Sequence, residues 1–250
     1  MPTRREERER RRAERLAAER DAERAARRRL TFGYVVAGAL GVALLVGVVV
    51  ALTTGGDDGQ RAPCAQAHID LLGGSTNGVQ PDCREGTPPP AIREGDLERA
   101  AQAANCDLRL DLPDEGNTHI TERSQIPDYG TNPPTSGDHN PVWQGDGAYA
   151  EMPEPWHLVH TLEHGRVEIQ YSPDLPERDQ LALKGVFDES PSGVLLFPNP
   201  DMPYEVAVTG WRKLMGCDAY EGAATLDVIR DFRDIYRGDA PEGDLFPIDS

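Results

Sequence analysis

The chain has 250 residues, with 26 Lys and Arg against 43 Asp and Glu, a formal net charge of -17, four Cys, 25 Gly and 21 Pro. That length holds one compact domain plus extensions, and acidity on this scale repels phosphate backbones, which excludes nucleic acid as the main partner. The mean conceals two oppositely charged bodies: residues 1–29 carry twelve Arg and seven acidic residues, about +5, whereas residues 53–250 carry 14 basic and 36 acidic residues, or -22.

Residues 1–29 alternate Arg, Glu and Ala with almost no large apolar side chains, so they have no core of their own. They read as a basic cytoplasmic tail, either in contact with anionic lipid headgroups or serving only as a topology signal. Residues 30–52 follow without a single charge, built mainly from Val, Ala, Leu and Gly. At 1.5 Å per residue this run reaches roughly 34 Å, enough to cross a hydrocarbon core of about 30 Å as a helix. Arg27, Arg28 and Arg29 stand before the run, and Asp57 and Asp58 stand after it. By the positive-inside rule the amino terminus is cytoplasmic and the carboxy-terminal part lies outside. The rival reading is a signal peptide cleaved near Val49-Val50-Ala51, but the apolar core of a signal spans only about 7–15 residues.

Residues 53–95 form a linker: a flexible Gly-rich tether, a small segment bounded by Cys64 and Cys83, and a stiffer stretch at 87–91 with three successive Pro. Residues 96–250 form the extracytoplasmic domain, whose compact part runs from near Gly95 to about Pro247. Its early part is rich in turns, with Asn132-Pro133-Pro134, Ser136-Gly137-Asp138 and Gly145-Asp146-Gly147. Val167-Glu168-Ile169-Gln170-Tyr171 then alternates at period two and predicts a strand. Asp174 followed by Pro176 and Glu177 signals the start of a helix to about Glu189. Residues 194–197 and 204–209 predict two more strands, joined by a hairpin turn at Asn199-Pro200-Asp201. Leu226, Ile229, Phe232 and Ile235 recur every three residues on a last helix ending near Gly238. The order strand, helix, strand, strand, helix predicts an α+β fold, a mixed sheet with packed helices. The later half of thioredoxin-like folds has the same order, but the chain contains no Cys-x-x-Cys pair and so lacks support for dithiol redox chemistry.

Four Cys outside the cytoplasm are expected to pair. Three connectivities are open, and the favoured one joins Cys64 to Cys83 and Cys106 to Cys217. The His distribution is more telling. All six lie beyond residue 52, at 68, 119, 139, 157, 160 and 164, and five fall within 46 residues. His157 to His164 reads as a short helix stopped by Gly165, which brings His160 and His164 about 6 Å apart on one face, against about 13 Å on a strand. Two imidazoles one turn apart are half of a transition-metal site. His119 and His139 are the candidates for the other half, backed by Glu163, Asp138 and Met202. The same stretch spells His160-x-x-Glu163-His164, the order of the inverted zinc peptidases, in which the Glu activates a metal-bound water. The contrasting expectation is a scaffold in which each His caps a loop, bonds a backbone carbonyl or packs beside Trp143 and Trp156.

The run Asn132-Pro133-Pro134-Thr135-Ser136-Gly137 with Asp138, His139 and Asn140-Pro141, followed by Trp143, Gly147 and Tyr149, then Val159-His160 to Gly165 and a strand ending at Tyr171, resembles the bacterial family known as domain of unknown function 3105. The likeness extends from about Cys106 to Pro241 and takes in the run from Glu115 to His119, Met202-Pro203, Trp211 and Cys217. It implies single-pass membrane-anchored proteins, mostly actinobacterial, with an outward-facing domain and no established biochemical activity. The family pattern carries over to His119, His139, His160, Glu163 and His164, whereas His68 and His157 are particular to this chain. Asp138 departs from the pattern, since many members place Pro between the Gly and the His. The expectation is therefore a protein of the cell membrane, in contact with membrane lipid, whose outer domain binds a transition metal, zinc or copper, through His119, His139, His160, His164 and Glu163. The alternatives are a structural or interaction module of the envelope and a metal-dependent hydrolase with Glu163 as base.

Overall fold

Residues 75–91, 95–243 and 248 are described by a computed structural model. The basic tail, the apolar run at 30–52, Cys64 and His68 lie outside the described residues. Among the described residues no helix is long and apolar enough to cross a membrane.

Helix α1 (Leu97–Ala103) starts at Asp96, whose carboxylate accepts the Arg99 amide at 3.1 Å, an ordinary amino-terminal cap. Strand β1 (Cys106–Arg109) follows. After a long irregular stretch come β2 (Gly147–Ala148), α2 (Pro155–Glu163) and β3 (Val167–Tyr171). Helix α3 (Glu177–Glu189), β4 (Val194–Pro198), β5 (Val206–Gly210), β6 (Lys213–Cys217) and α4 (Ala223–Tyr236) complete the order. The six strands form one mixed sheet in the order β1-β6-β5-β3-β4-β2. β2, β4 and β3 run parallel, and β3, β5, β6 and β1 are mutually antiparallel neighbours.

Alternation along the strands divides the core between two faces. Val167, Ile169, Val194, Leu196, Val206, Val208 and Met215 pack with Leu183 and Phe187 of α3, Ile229 and Phe232 of α4, and Ala100 and Ala101 of α1. On the other face Leu195 and Phe197 meet Tyr149 and Leu158 of α2, while Ala207 and Leu214 meet Leu112. Covered on both sides, β3 has every residue buried, including Glu168, Gln170 and, on β5, Thr209. Those three form a polar group with Asn199: Thr209 Oγ1 and Gln170 Nε2 reach Glu168 Oε2 at 3.1 and 3.2 Å, and Asn199 donates to Gln170 Oε1 at 2.7 Å.

Three expectations need correction. Residues 199–201 do not form a hairpin between β4 and β5, because β3 lies between them and β5 pairs antiparallel with β3. The short link between β5 and β6 is the real hairpin. Its turn is Trp211-Arg212, with Arg212 at φ 59°, and it carries no Asn-Gly signal. Helix α3 is entered from Pro176, with no side-chain cap from Asp174. Ile235 is 53 % exposed while Leu226, Ile229 and Phe232 are buried. A strict period of three drifts around a helix of 3.6 residues per turn, and nine residues on from Leu226 it has reached the opposite side. Strand β6 escaped notice because Gly216 interrupts its apolar pattern; a Cβ there would meet the Tyr204 ring at 2.3 Å.

Cys106 and Cys217 are directly opposed in the β1–β6 ladder and form a disulfide across 111 residues, the pairing expected. Cys83 is disulfide-bonded as well, and no described cysteine is free. The Pro-rich stretch at 87–91 lies against the helices: Thr87 donates its amide to Leu181 O at 2.7 Å, and Arg230 donates to Pro90 O at 2.9 Å.

Candidate metal centre

Three chain segments converge where α2 covers the second sheet face. The first two are loops joined by an isolated parallel bridge between His119 and His139, in which Ile120 donates to His139 O at 2.8 Å and His139 donates to Thr118 O at 3.0 Å. The third is α2, which begins on Pro155 at its first position and ends at Glu163, with His164 as its cap and Gly165 at φ +80°. Proline supplies the fixed φ and needs no amide partner there, and glycine takes the left-handed turn that ends the helix. His160, Glu163 and His164 therefore share the inner face of one helical end, as their spacing predicts.

His119, His139, His160 and Glu163 each present a ligand atom such that all four atoms lie within 4.8 Å of one another. His139 Nε2 is 3.1 Å from Glu163 Oε2. The His139 and His160 rings stack with centroids 4.7 Å apart, and the His119 ring is 4.7 Å from that of His160. Four donors about 2.0–2.1 Å from a tetrahedral ion are separated by roughly 3.3 Å, so only small closing movements are needed for this group to hold one.

The outer contacts select the coordinating atoms. His139 Nδ1 donates to Gly137 O at 2.8 Å and His160 Nδ1 donates to Asn140 O at 2.7 Å. Since a carbonyl can only accept, both rings carry their proton on Nδ1 and turn Nε2 lone pairs inward. This is how metal-binding imidazoles are oriented elsewhere. Asn117 Nδ2 donates to Glu163 Oε1 at 2.7 Å, which leaves Oε2 as the inward oxygen. Burial, reinforced by the neighbouring imidazoles, holds the His160 pKa well below its ordinary value. Burial and then the Arg166 guanidinium do the same for His164. Both rings are neutral at pH 7, the form that coordinates.

His164 stands beside the four-residue group. Its Nε2 is 3.0 Å from His160 Nε2 and 3.5 Å from Glu242 Oε2, and its ring meets Trp143 edge-on at 4.1 Å. Arg166, itself buried, fixes this residue by donating to His164 O at 3.1 Å and to Asp146 at 3.1 Å. Asp138 accepts the Thr118 amide at 2.8 Å and so orders the first loop. Met202 packs beside Leu112, Ala207 and Leu214, outside the group. His157 also stays outside, bonded through Nδ1 to Val142 O. Glu242 and Asn117 were not read from the sequence as site residues. Asn117 stands in the quoted run from Glu115 to His119, whereas nothing in the local sequence around Glu242 signals its role.

The expected scaffold features are also present, since His139 and His160 do bond backbone carbonyls and Trp143 does pack against two of the rings. The same bonds that fix the loops leave the second nitrogens aimed at one point. The group could hold a metal ion. Its elements are all contained in a family model described as a protein of unknown function, DUF3105, apart from Asn117; the match covers residues 119–244, half of the chain. No curated protein and no solved structure matches the chain. The convergence of site and family match on one stretch places the chain plainly: it belongs to the DUF3105 family of proteins of unknown function.

Proposed function

We propose that the domain binds a transition-metal ion, zinc or copper, through His119, His139, His160 and Glu163, with His164 beside them. One observation carries this reading. Four donor atoms from three segments lie within 4.8 Å of one another, and His139 and His160 both commit Nδ1 to a backbone carbonyl, which turns Nε2 inward. Imidazole with one carboxylate and no sulfur suits zinc and divalent copper. The role is holding the ion rather than hydrolysis, because one Glu163 oxygen accepts from Asn117 and the other is itself one of the four ligand atoms, so none is left to activate water. His119 is the partly exposed member of the four, which makes its edge the route of entry.

The apolar run at 30–52 and its charged flanks support an accompanying proposal, a single-pass chain with its amino terminus in the cytoplasm, membrane lipid as its neighbour and the metal domain outside. Nucleic acid is not a partner on this reading. The test of metal binding is plasma mass spectrometry on the full-length chain after incubation with zinc or copper and removal of excess ion. About one ion per chain is expected, falling to background in a His139→Ala, His160→Ala variant. Absence of metal from the wild type sinks the proposal and favours a structural module of the envelope.

A further inference from the structure

Metal binding would change the partner of His164, and the geometry points to where its proton goes. Because His160 Nδ1 donates to Asn140 O, His160 Nε2 in the neutral ring is an acceptor. The atom 3.0 Å away, His164 Nε2, must then carry the hydrogen, since two lone pairs facing each other at that distance repel. A metal on His160 Nε2 would take that lone pair and break its hydrogen bond with His164 Nε2–H. The next acceptor is the Glu242 carboxylate, 3.5 Å away and with its residue only 7 % exposed.

Glu242 is delivered by the segment that follows α4, which is seated on the end of α2. Gly238 donates to Gly165 O at 2.7 Å and Glu242 donates to Glu163 O at 3.1 Å. The fit is close enough that a Cβ on Gly165 would meet Gly238 Cα at 2.8 Å, and one on Gly243 would meet Gly238 O at 2.1 Å. The backbone carbonyl of a ligand, Glu163, and the side chain of its neighbour, His164, are thus both tied to this one segment.

We propose that Glu242 is a positioning residue of the metal centre: on metal binding, the His164 Nε2–H turns from His160 to the Glu242 carboxylate, and the segment 238–243 is fixed by occupancy. The inference rests on the metal reading above. An ion with three neutral imidazoles and one carboxylate keeps a single positive charge, which the Glu242 carboxylate offsets from the next layer. Carboxylates in that layer typically alter metal affinity by about 10–100-fold.

The test uses full-length wild type, Glu242→Gln and Glu242→Ala with Zn2+ alone as the probe. Zn2+ affinity is expected to fall about tenfold or more in both variants, and the melting temperature of the metal-free protein to change little in Glu242→Gln. In the wild type, hydrogen exchange at the Gly238 and Glu242 amides should slow on addition of Zn2+, a readout that needs no substitution. Unchanged Zn2+ affinity in Glu242→Ala, or exchange at those amides indifferent to Zn2+, overturns the role of Glu242 while leaving the metal centre standing. A wild type that takes up no Zn2+ removes the metal reading itself, and this inference with it.

Discussion

Glu168 shows what a single residue costs when its place in the sheet is fixed by its neighbours. Its position in β3 directs it to the covered face opposite Thr209, and burial raises its pKa well above the ordinary carboxylate value, with the Thr209 hydroxyl pulling the other way. A group whose folded pKa is raised contributes its full stability below the unfolded value, about 4.5, and loses it as pH rises toward the folded pKa. Glu168→Gln keeps an oxygen for Thr209 and Gln170 and has no proton to lose. The variant should therefore be more stable than wild type at pH 7, by up to about 1.4 kcal/mol for each pH unit between the two pKa values, and should show less advantage at pH 5. Urea unfolding at both pH values measures this; an advantage of equal size at each would refute the assignment. His160 and His164 run the opposite way. Their lowered pKa values mean stability present above about 6.5 and lost as pH falls, so acid weakens the fold through the residues where the metal would sit.

Elements were legible in the sequence where a period or a stop signal was long enough to count. The strand at Val167–Tyr171, the end of α3 at Glu189 and the short helix before Gly165 all followed from alternation, length and glycine. β1 and β2 were not legible, being four and two residues long, nor was β6, where the close approach of Tyr204 demands Gly216 at a position that would otherwise be apolar. At the site, spacing identified His160, Glu163 and His164 because one helix turn carries them. His119 and His139 were reached by clustering and by the family pattern, and Glu242 by neither, since the packing of Gly238 on Gly165 brings it to the site from far along the chain. That packing makes its own prediction. Gly165→Ala places a side chain at φ +80° and 2.8 Å from Gly238 Cα, combining backbone strain with displacement of the segment. A loss of roughly 2–3 kcal/mol is expected, read by thermal or urea unfolding of the metal-free chain. Wild-type stability in that variant would mean the segment lifts away without cost.

At the scale of the molecule, charge divides the chain more sharply than any fold boundary. The tail at 1–29 is about +5 and the residues from 53 onward are -22, with the uncharged run between them. Anionic leaflets hold basic segments and repel acidic ones, so tail and domain would each favour its own side of a membrane. Spheroplasts bearing an epitope at each end provide the check. Antibody should reach the carboxy-terminal epitope on intact spheroplasts and the amino-terminal one only after permeabilisation. The reverse labelling pattern would overturn the proposed orientation, and recovery of the chain entirely in the soluble fraction would overturn the anchor.

The pairing of β1 with β6 also orders events in time. Synthesis makes Cys106 long before Cys217, 111 residues later, and every proposed metal donor lies between them. Until β6 arrives, β1 has no neighbour in the sheet and its thiol lacks its native partner, which is the exposure that slow, non-local strand pairing brings. A nascent domain therefore meets any oxidant or thiol catalyst with its β1 edge open, and sealing of that edge waits for β6.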